Sequence, residues 1–372
     1  MVLLPLFVVF AVAAVVTAVA VPLVTVLCRR QGWLAKPGPR HVHHVATPTL
    51  GGSAIFVGFV AALLFSFLLT RGPGPLQRLP VEHLRLLLLL AGATLVWLIA
   101  TIDDIHPLPP LPRLVGHIVA ALIAVGPYLW QWTVFPDPEG AHGIILTAFE
   151  NPFGGQINLH RDYHPLLAIA VTVFWIVGMI NTLNWIDGLD GLAAGVTLIA
   201  ALILAIHTFV LHQYTLVMLP LMLAGACLGF LPFNFHPARI FMGDGGAMLL
   251  GYVLAISAII GGAKLASALL VMGIPILDVA WLIVTRTLSG RRASESDRQH
   301  LHHRLYDLGF GQRQIVAFYY SISAIFGAIA LLIPAELRLF KLVALAVLVV
   351  VLALVLLFAT RYAKRIVTSN EG

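Results

Sequence analysis

Residues 165–192 read PLLAIAVTVFWIVGMINTLNWIDGLDGL. The run 165–183 is long and apolar enough to cross a bilayer as a helix, which takes about 20 such residues. Polar groups then appear at a fixed interval. Asn181, Asn184 and Asp187 recur every three residues, so on a helix they share nearly one face. Asp190 extends the stripe if the helical turn persists past Gly188. Two amides and two acids on one stripe are costly to keep beside hydrocarbon, and such groups mark functional sites. A single Asn for helix packing would be ordinary. Four groups in register are not.

The rest of the chain carries the same signature. Of its 372 residues, 60% are hydrophobic and 10% charged, against about 25% charged in soluble domains. With a mean hydropathy of +0.98, it has too few charges to cover a water-facing surface. Apolar runs at 2–27, 50–70, 84–102, 113–131, 165–183, 192–211, 216–232, 246–263, 265–285, 314–334 and 342–360 predict eleven transmembrane helices. The expected fold is an all-α polytopic membrane protein, one integral-membrane domain over 1–372 with no internal repeat.

The run 2–27 has no basic residue before it and Arg29-Arg30 after it, the reverse of a cleavable signal. It therefore reads as a retained first span with the N-terminus outside, and an odd number of spans puts the C-terminus in the cytoplasm. On that assignment 15 of the 22 lysines and arginines fall inside and 7 outside, as the positive-inside rule requires. The net charge of +6 then orients the chain against anionic lipid, and nucleic acid is not an expected partner. Outside, 143–149 and 156–159 flank an Asn-Pro-Phe-Gly-Gly turn and predict a short external β-hairpin. Cys28 and Cys227 are too few for a disulfide framework.

Three further polar motifs fall on the expected inner face. Asp103-Asp104 ends the third run, and adjacent carboxylates there are costly unless a cation lies near. A prenyl-synthase DDxxD site is excluded, because Pro107 stands where the third Asp belongs. The loop Phe233-Asn234-Phe235-His236-Pro237-Ala238-Arg239-Ile240-Phe241-Met242-Gly243-Asp244-Gly245-Gly246 sets one Asp between glycines at a helix start. Glycine lets backbone approach a ligand, and helix-start N–H groups favour phosphate. Asp297-Arg298-Gln299-His300-Leu301-His302-His303-Arg304 holds three histidines and two arginines, donors suited to phosphate oxygens. The first inner loop, with Lys36, Arg40, His41, His43 and His44 ahead of Thr47-Pro48-Thr49-Leu50-Gly51-Gly52, gains weight only from sharing that face.

Together these pieces resemble the polyprenyl-phosphate N-acetylhexosamine-1-phosphate transferase family, of glycosyltransferase family 4 type. The Asp-Asp pair, NxxNxxDGLDGL at 181–192, FNxxPAxxFMGDxG at 233–246 and HxHH at 300–303 occur in family order and spacing across nearly the whole chain. The run from Asp297 to Leu305 looks like the branch that makes undecaprenyl-diphospho-GlcNAc. Residues 47–52 look more like the phospho-MurNAc-pentapeptide branch, which usually has lysine where His44 stands. Ala247 occupies a position where the family often has serine.

The resemblance implies transfer of GlcNAc 1-phosphate from UDP-GlcNAc to undecaprenyl phosphate at the cytoplasmic face of the plasma membrane, releasing UMP and starting an envelope polysaccharide. It implies Mg²⁺ or Mn²⁺ near Asp244, Asp103, Asp104 and Asp187, which with His302 form the expected catalytic set. Asn184, Asp190, Asn234 and Phe241 map to the uridine. His44, His300, His303 and Arg304 map to phosphates or the sugar. The implied partners are a UDP-sugar, a polyprenyl phosphate and membrane lipid, and a homodimer is compatible with them. UDP-MurNAc-pentapeptide or UDP-GalNAc as donor is the alternative. A transporter is the rival class, but transporters set their polar site near the midplane of related halves. Here the ionisable residues cluster at span ends on one side, and no HExxH metalloprotease signature occurs.

Overall fold

The computed structural model describes residues 2–35, 46–72, 74–131, 143–151, 155–260, 265–290 and 300–333, with a few helical positions between 340 and 350. Its first half contains α1 (Leu3–Gln31), α2 (Gly51–Leu69), α3 (Pro80–Ile105), α4 (Pro110–Val125) and the single turn α5 (Tyr128–Gln131). Two small antiparallel ribbons join them. Strands β1 (Leu34–Ala35) and β2 (Thr47–Pro48) pair Leu34 with Pro48. Strands β3 (Ala148–Glu150) and β4 (Gln156–Asn158) pair Phe149 with Ile157, which is the expected hairpin. The second half runs through α6 (Pro165–Ile186), α7 (Leu192–Val210), α8 (Tyr214–Asn234), α9 (Gly243–Ile260), α10 (Leu265–Val271), α11 (Gly273–Leu288), α12 (Leu301–Asp307) and α13 (Gln312–Leu332).

Among the described residues eight helices are long and apolar enough to cross a membrane: α1, α2, α3, α6, α7, α8, α9 and α13. Two of the eleven expected spans need correction, and a third cannot be compared. The run 113–131 folds as α4, only 16 residues long, or about 24 Å at the helical rise, because Gly126 ends it. The run 265–285 is not one straight helix but α10 and α11, bent by 78°. The break falls at Met272-Gly273, just before Pro275, where the missing proline N–H removes a bond that a continuous helix would need. The run 342–360 lies almost wholly outside the described residues.

Helix α9 is the core of the bundle: every residue from Gly245 to Ile259 is buried. It packs on α2, α3 and α6, while α8 packs on α1 and α7. The outer helices present Leu3, Phe7, Leu23, Phe174 and Ile325 outward, as a lipid-facing surface does. Close approach is set by small residues. Gly225 and Gly229 of α8 are spaced by four and lie on α1, where a Cβ would come within 2.3 Å of the Phe10 carbonyl oxygen and 2.2 Å of that of Ala14. Without a hydrophobic drive between helices in lipid, such backbone proximity supplies the packing.

Gly229→Val therefore forces α1 and α8 apart. It is expected to lower stability by about 1–3 kcal/mol, seen as an earlier thermal unfolding midpoint in detergent.

Candidate active site

The predicted polar residues converge because the helices that carry them end, or begin, at the same end of the bundle. Asp103 and Asp104 close α3, Asn181 and Asn184 lie in the last turns of α6, and Asp244 opens α9. Asp104 reaches across to α9. Its Oδ1 accepts from the Asp244 N–H at 2.8 Å and its Oδ2 from the Gly245 N–H at 3.0 Å. A carboxylate on orphan N–H groups at the positive end of a helix is well placed. The glycines are a requirement of that approach. Gly243 sits at φ +73°, and a Cβ there would lie 2.6 Å from Asp104 Oδ2.

Arg113, at the start of α4, bridges two of the acids. Its Nη1 donates to Asp103 Oδ2 at 2.6 Å and to Asp244 Oδ2 at 3.2 Å. The other Asp103 oxygen accepts from the Leu108 N–H, and the other Asp244 oxygen from Asn184 Nδ2 at 2.8 Å. Asn181 lies one turn deeper, bonded to the Val177 carbonyl and 3.5 Å from His117 Nδ1.

Asp187 differs from its neighbours. It is the residue that ends α6, and among the described residues no donor reaches its carboxylate. Burial, and then the like charges of Asp244 and Asp190, push its carboxyl up to about 8. Asp187 lies within electrostatic reach of Asp244, while both Asp244 oxygens are taken by Arg113 and Asn184. Carboxylate oxygens suit Mg²⁺, and Asp187 is the acid of this group left open to such an ion; among the described residues the set whose ligand atoms converge within 4.8 Å is Asp278, His300 and His302.

The stripe predicted from residue spacing stops at Asp187. The helix does not continue past Gly188, so Asp190 leaves the series and turns toward the loop after α8. There its Oδ2 accepts from His236 Nδ1 at 2.7 Å and from the Ala238 N–H at 3.1 Å. Asn234 ties the same two segments. It is 3% exposed, its oxygen accepts from the Gly191 N–H, and its Nδ2 donates to the Ile240 carbonyl. Both residues act as struts for the loop. Phe241 is half-buried, and its backbone joins the first inner loop: its N–H donates to the Pro48 carbonyl and its carbonyl accepts from the Gly51 N–H.

The histidine run docks on the turn after α6. His302 is fully buried, and a Cβ at Gly188 would come within 2.4 Å of its Nε2. Burial, followed by the neighbouring His303 and His300, drives its pKa well below the usual imidazole range, so it stays neutral. In this position His302 seats the turn rather than lining open space. His300 meets the edge of Trp185 and gives its Nδ1 to Asp278 at 3.0 Å. His303 and Arg304 follow on α12, partly exposed. His44 and Asp297 lie outside the described residues.

Residue spacing missed two members. Arg113 reads in the sequence only as a charge that orients the chain. Asp278 stands alone in an apolar run, GIPILDVAWL, and that isolation was its signal. It is completely buried, and its second oxygen accepts from the Leu301 N–H at 2.9 Å.

That bundle has the helix lengths of a multi-pass membrane protein, with its acids gathered at one end. The chain matches glycosyl transferase family 4 over residues 86–262. It is 38% identical over 336 residues to a decaprenyl-phosphate N-acetylglucosaminephosphotransferase of Mycobacterium tuberculosis, covering 83% of this chain and 77% of that one. A probable undecaprenyl-phosphate N-acetylglucosaminyl 1-phosphate transferase of Bacillus subtilis is 30% identical, with 87% and 84% covered. A phospho-N-acetylmuramoyl-pentapeptide-transferase of Moorella thermoacetica is 35% identical, with 84% and 93% covered. The chain belongs to glycosyl transferase family 4.

Adjacent acids of this cluster should respond with opposite signs. In chelating buffer above about pH 8, where Asp187 is ionised, Asp187→Asn removes like-charge crowding and is expected to raise the thermal midpoint. Asp104→Asn leaves one α9 N–H without its acceptor and should cost about 0.5–2 kcal/mol. Differential scanning fluorimetry of the two variants checks both.

Proposed function

We propose that this chain transfers N-acetylglucosamine 1-phosphate from UDP-GlcNAc to a polyprenyl phosphate, undecaprenyl phosphate in the first instance, giving the lipid diphosphate sugar and UMP. The observation that carries the reading is the Asp104–Asp187–Asp244 cluster, set with Arg113 and Asn184 at one end of an apolar bundle. The two N-acetylglucosamine relatives support the sugar, and the partly exposed His303 and Arg304 on α12 support phosphate recognition. A lipid-tethered phosphate and a water-borne nucleotide sugar can meet only at a membrane surface, and the excess of lysine and arginine supports the cytoplasmic one.

In this reading the lipid phosphate oxygen attacks the β-phosphorus of the UDP-sugar in line. A new O–P bond forms, the bond to the α-phosphate oxygen breaks, and UMP leaves with that oxygen. Bound Mg²⁺ would neutralise the charge of the diphosphate. Asp187 and Asp244 would hold that ion, Asn184 orients Asp244, and Arg113 bridges Asp103 and Asp244 at fixed spacing. Asp103 stays ionised between Arg113 and the Leu108 N–H and aligns the acceptor. Both its oxygens are engaged, which disfavours it as a nucleophile. The second pKa of a phosphate monoester is about 6, so the acceptor needs little deprotonation, and positioning carries most of the rate. Phe241 and the loop braced by Asp190 and Asn234 receive the uridine. Asp278 acts through His300 as a positioning residue.

Three measurements test this. Membranes given radiolabelled UDP-GlcNAc and undecaprenyl phosphate should yield labelled lipid and UMP. No lipid product, or a preference for UDP-MurNAc-pentapeptide or UDP-GalNAc in the same assay, would sink the stated donor. Asp244→Asn should lower turnover at least about a hundredfold at every tolerated Mg²⁺ concentration. In the wild type, Mg²⁺ at a hundred times its Kd should stabilise the fold by about 2.7 kcal/mol, and Asp244→Asn should lose that gain. Asp278→Asn should cut kcat about ten- to a hundredfold while UMP affinity stays near normal; an equal loss of both would make Asp278 merely structural.

A further inference from the structure

The histidine run holds one buried group that the transfer reaction does not use. His302 has no exposed surface, and neither of its ring nitrogens finds a hydrogen-bond partner among the described residues. A buried polar atom left unpaired costs about 1–3 kcal/mol, and His302 carries two of them. The ring stacks on that of His300, with centroids 5.4 Å apart and planes inclined by 16°. The His303 ring lies 4.3 Å from it. Imidazoles gathered this closely, with a donor atom to spare, are the surroundings of a metal.

One ligand atom each from Asp278, His300 and His302 lie within 4.8 Å of one another. Asp278 comes from α11 and is completely buried, while His300 stands just ahead of α12 and is 9% exposed. Asp278 divides its oxygens: Oδ1 accepts from the Leu301 N–H at 2.9 Å, and Oδ2 faces His300 Nδ1 at 3.0 Å. Zinc bonds of about 2.0–2.1 Å set tetrahedral ligands about 3.4 Å apart. The widest pair here therefore closes by no more than about 1.4 Å, which a swing of the His302 ring supplies. Two imidazoles and one carboxylate suit zinc, where magnesium prefers oxygen throughout. His302 is neutral, the form in which imidazole takes a metal. Arg298 and Arg304 flank the run and oppose a cation, but the Asp278 carboxylate offsets them from inside.

We propose that Asp278, His300 and His302 bind a zinc ion at the seam between α11, α12 and the turn after α6. The ion takes the place of the proton between His300 Nδ1 and Asp278 Oδ2, and the imidazole carries that proton on Nε2 instead. Asp278 Oδ1 keeps the Leu301 N–H. The role is structural. His302 packs on Gly188, so an ion on its ring pins the histidine run to that turn and fixes where α12 presents His303 and Arg304. The site is distinct from Asp187 and Asp244 in donor chemistry, and it holds whichever sugar is transferred.

The test is the zinc content of the full chain, purified in detergent without a histidine tag. The protein is stripped with a chelator, then dialysed against micromolar Zn²⁺ in millimolar Mg²⁺. Elemental mass spectrometry is expected to find about one zinc per chain. Asp278→Asn, which keeps the side-chain volume and an acceptor for Leu301, should lower zinc affinity at least about tenfold, as should His302→Gln. Asp244→Asn should retain the zinc. Cobalt(II) in place of zinc should give the intense visible bands of a low-coordinate nitrogen–oxygen site, a readout taken on the wild type that no folding defect can imitate. A wild type free of zinc overturns the proposal, as does zinc undiminished in both ligand variants. The weak cobalt spectrum of a six-oxygen site overturns it too, and so does zinc that is lost in Asp244→Asn. Metal content is the measured quantity, so the result does not depend on the donor sugar.

Discussion

Helix α9 begins in the middle of a membrane protein with its first N–H groups pointing at nothing helical, and they must be met. Asp104 meets two of them from the end of α3. Once that carboxylate is committed, Asp103 beside it on the chain is carried to the start of α4, and Asp244 is held at the mouth of the bundle. The glycines around Asp244 follow from the same demand, because no side chain fits between the two helix ends. A structural bond at the base of the site thus sets the spacing of the groups above it. The acids above cannot relax apart.

Much of this was legible in the sequence. Apolar runs of about 20 residues mark spans because hydrocarbon allows little else, and most of the predicted helices stand where expected. The short β3–β4 hairpin was equally plain from its turn residues. The stripe of Asn181, Asn184 and Asp187 showed its face because the helix is regular there. Asp190 did not, since the helix ends at Ile186 and a spacing rule has no meaning past that point. The split of α10 from α11 was hidden because the residues around Gly273 and Pro275 stay apolar. Hydropathy reports the environment of a segment, not its direction.

The site residues divide in the same way. Acids in apolar company announce themselves, and Asp103, Asp104, Asp187 and Asp244 could be found without coordinates. What they bond to could not. Arg113 lies 131 residues from Asp244 in the chain, and only the packing of α4 against its neighbours brings the guanidinium between two carboxylates. The histidines differ in burial. His302 is the most buried of its run, so its part is to hold the Gly188 turn, while His300 is the one oriented by an acid, Asp278. Residue type suggested the chemistry; burial decided which copy performs it.

Helix α4 is too short to span on its own, and the chain makes up the difference. Ile144 donates to the Ala124 carbonyl at 2.9 Å, Leu146 donates to Thr172 Oγ1, and both side chains are buried. Irregular backbone packed among apolar helices survives because protein supplies its hydrogen bonds. The vertical register of α4 is therefore fixed by neighbouring polypeptide and not by the surrounding lipid. Arg113 rides on that helix. Its height relative to Asp103 and Asp244 should stay the same in a thin bilayer or a thick one, insulating the charge lattice from hydrophobic mismatch that longer, lipid-facing helices such as α1 must absorb by tilting.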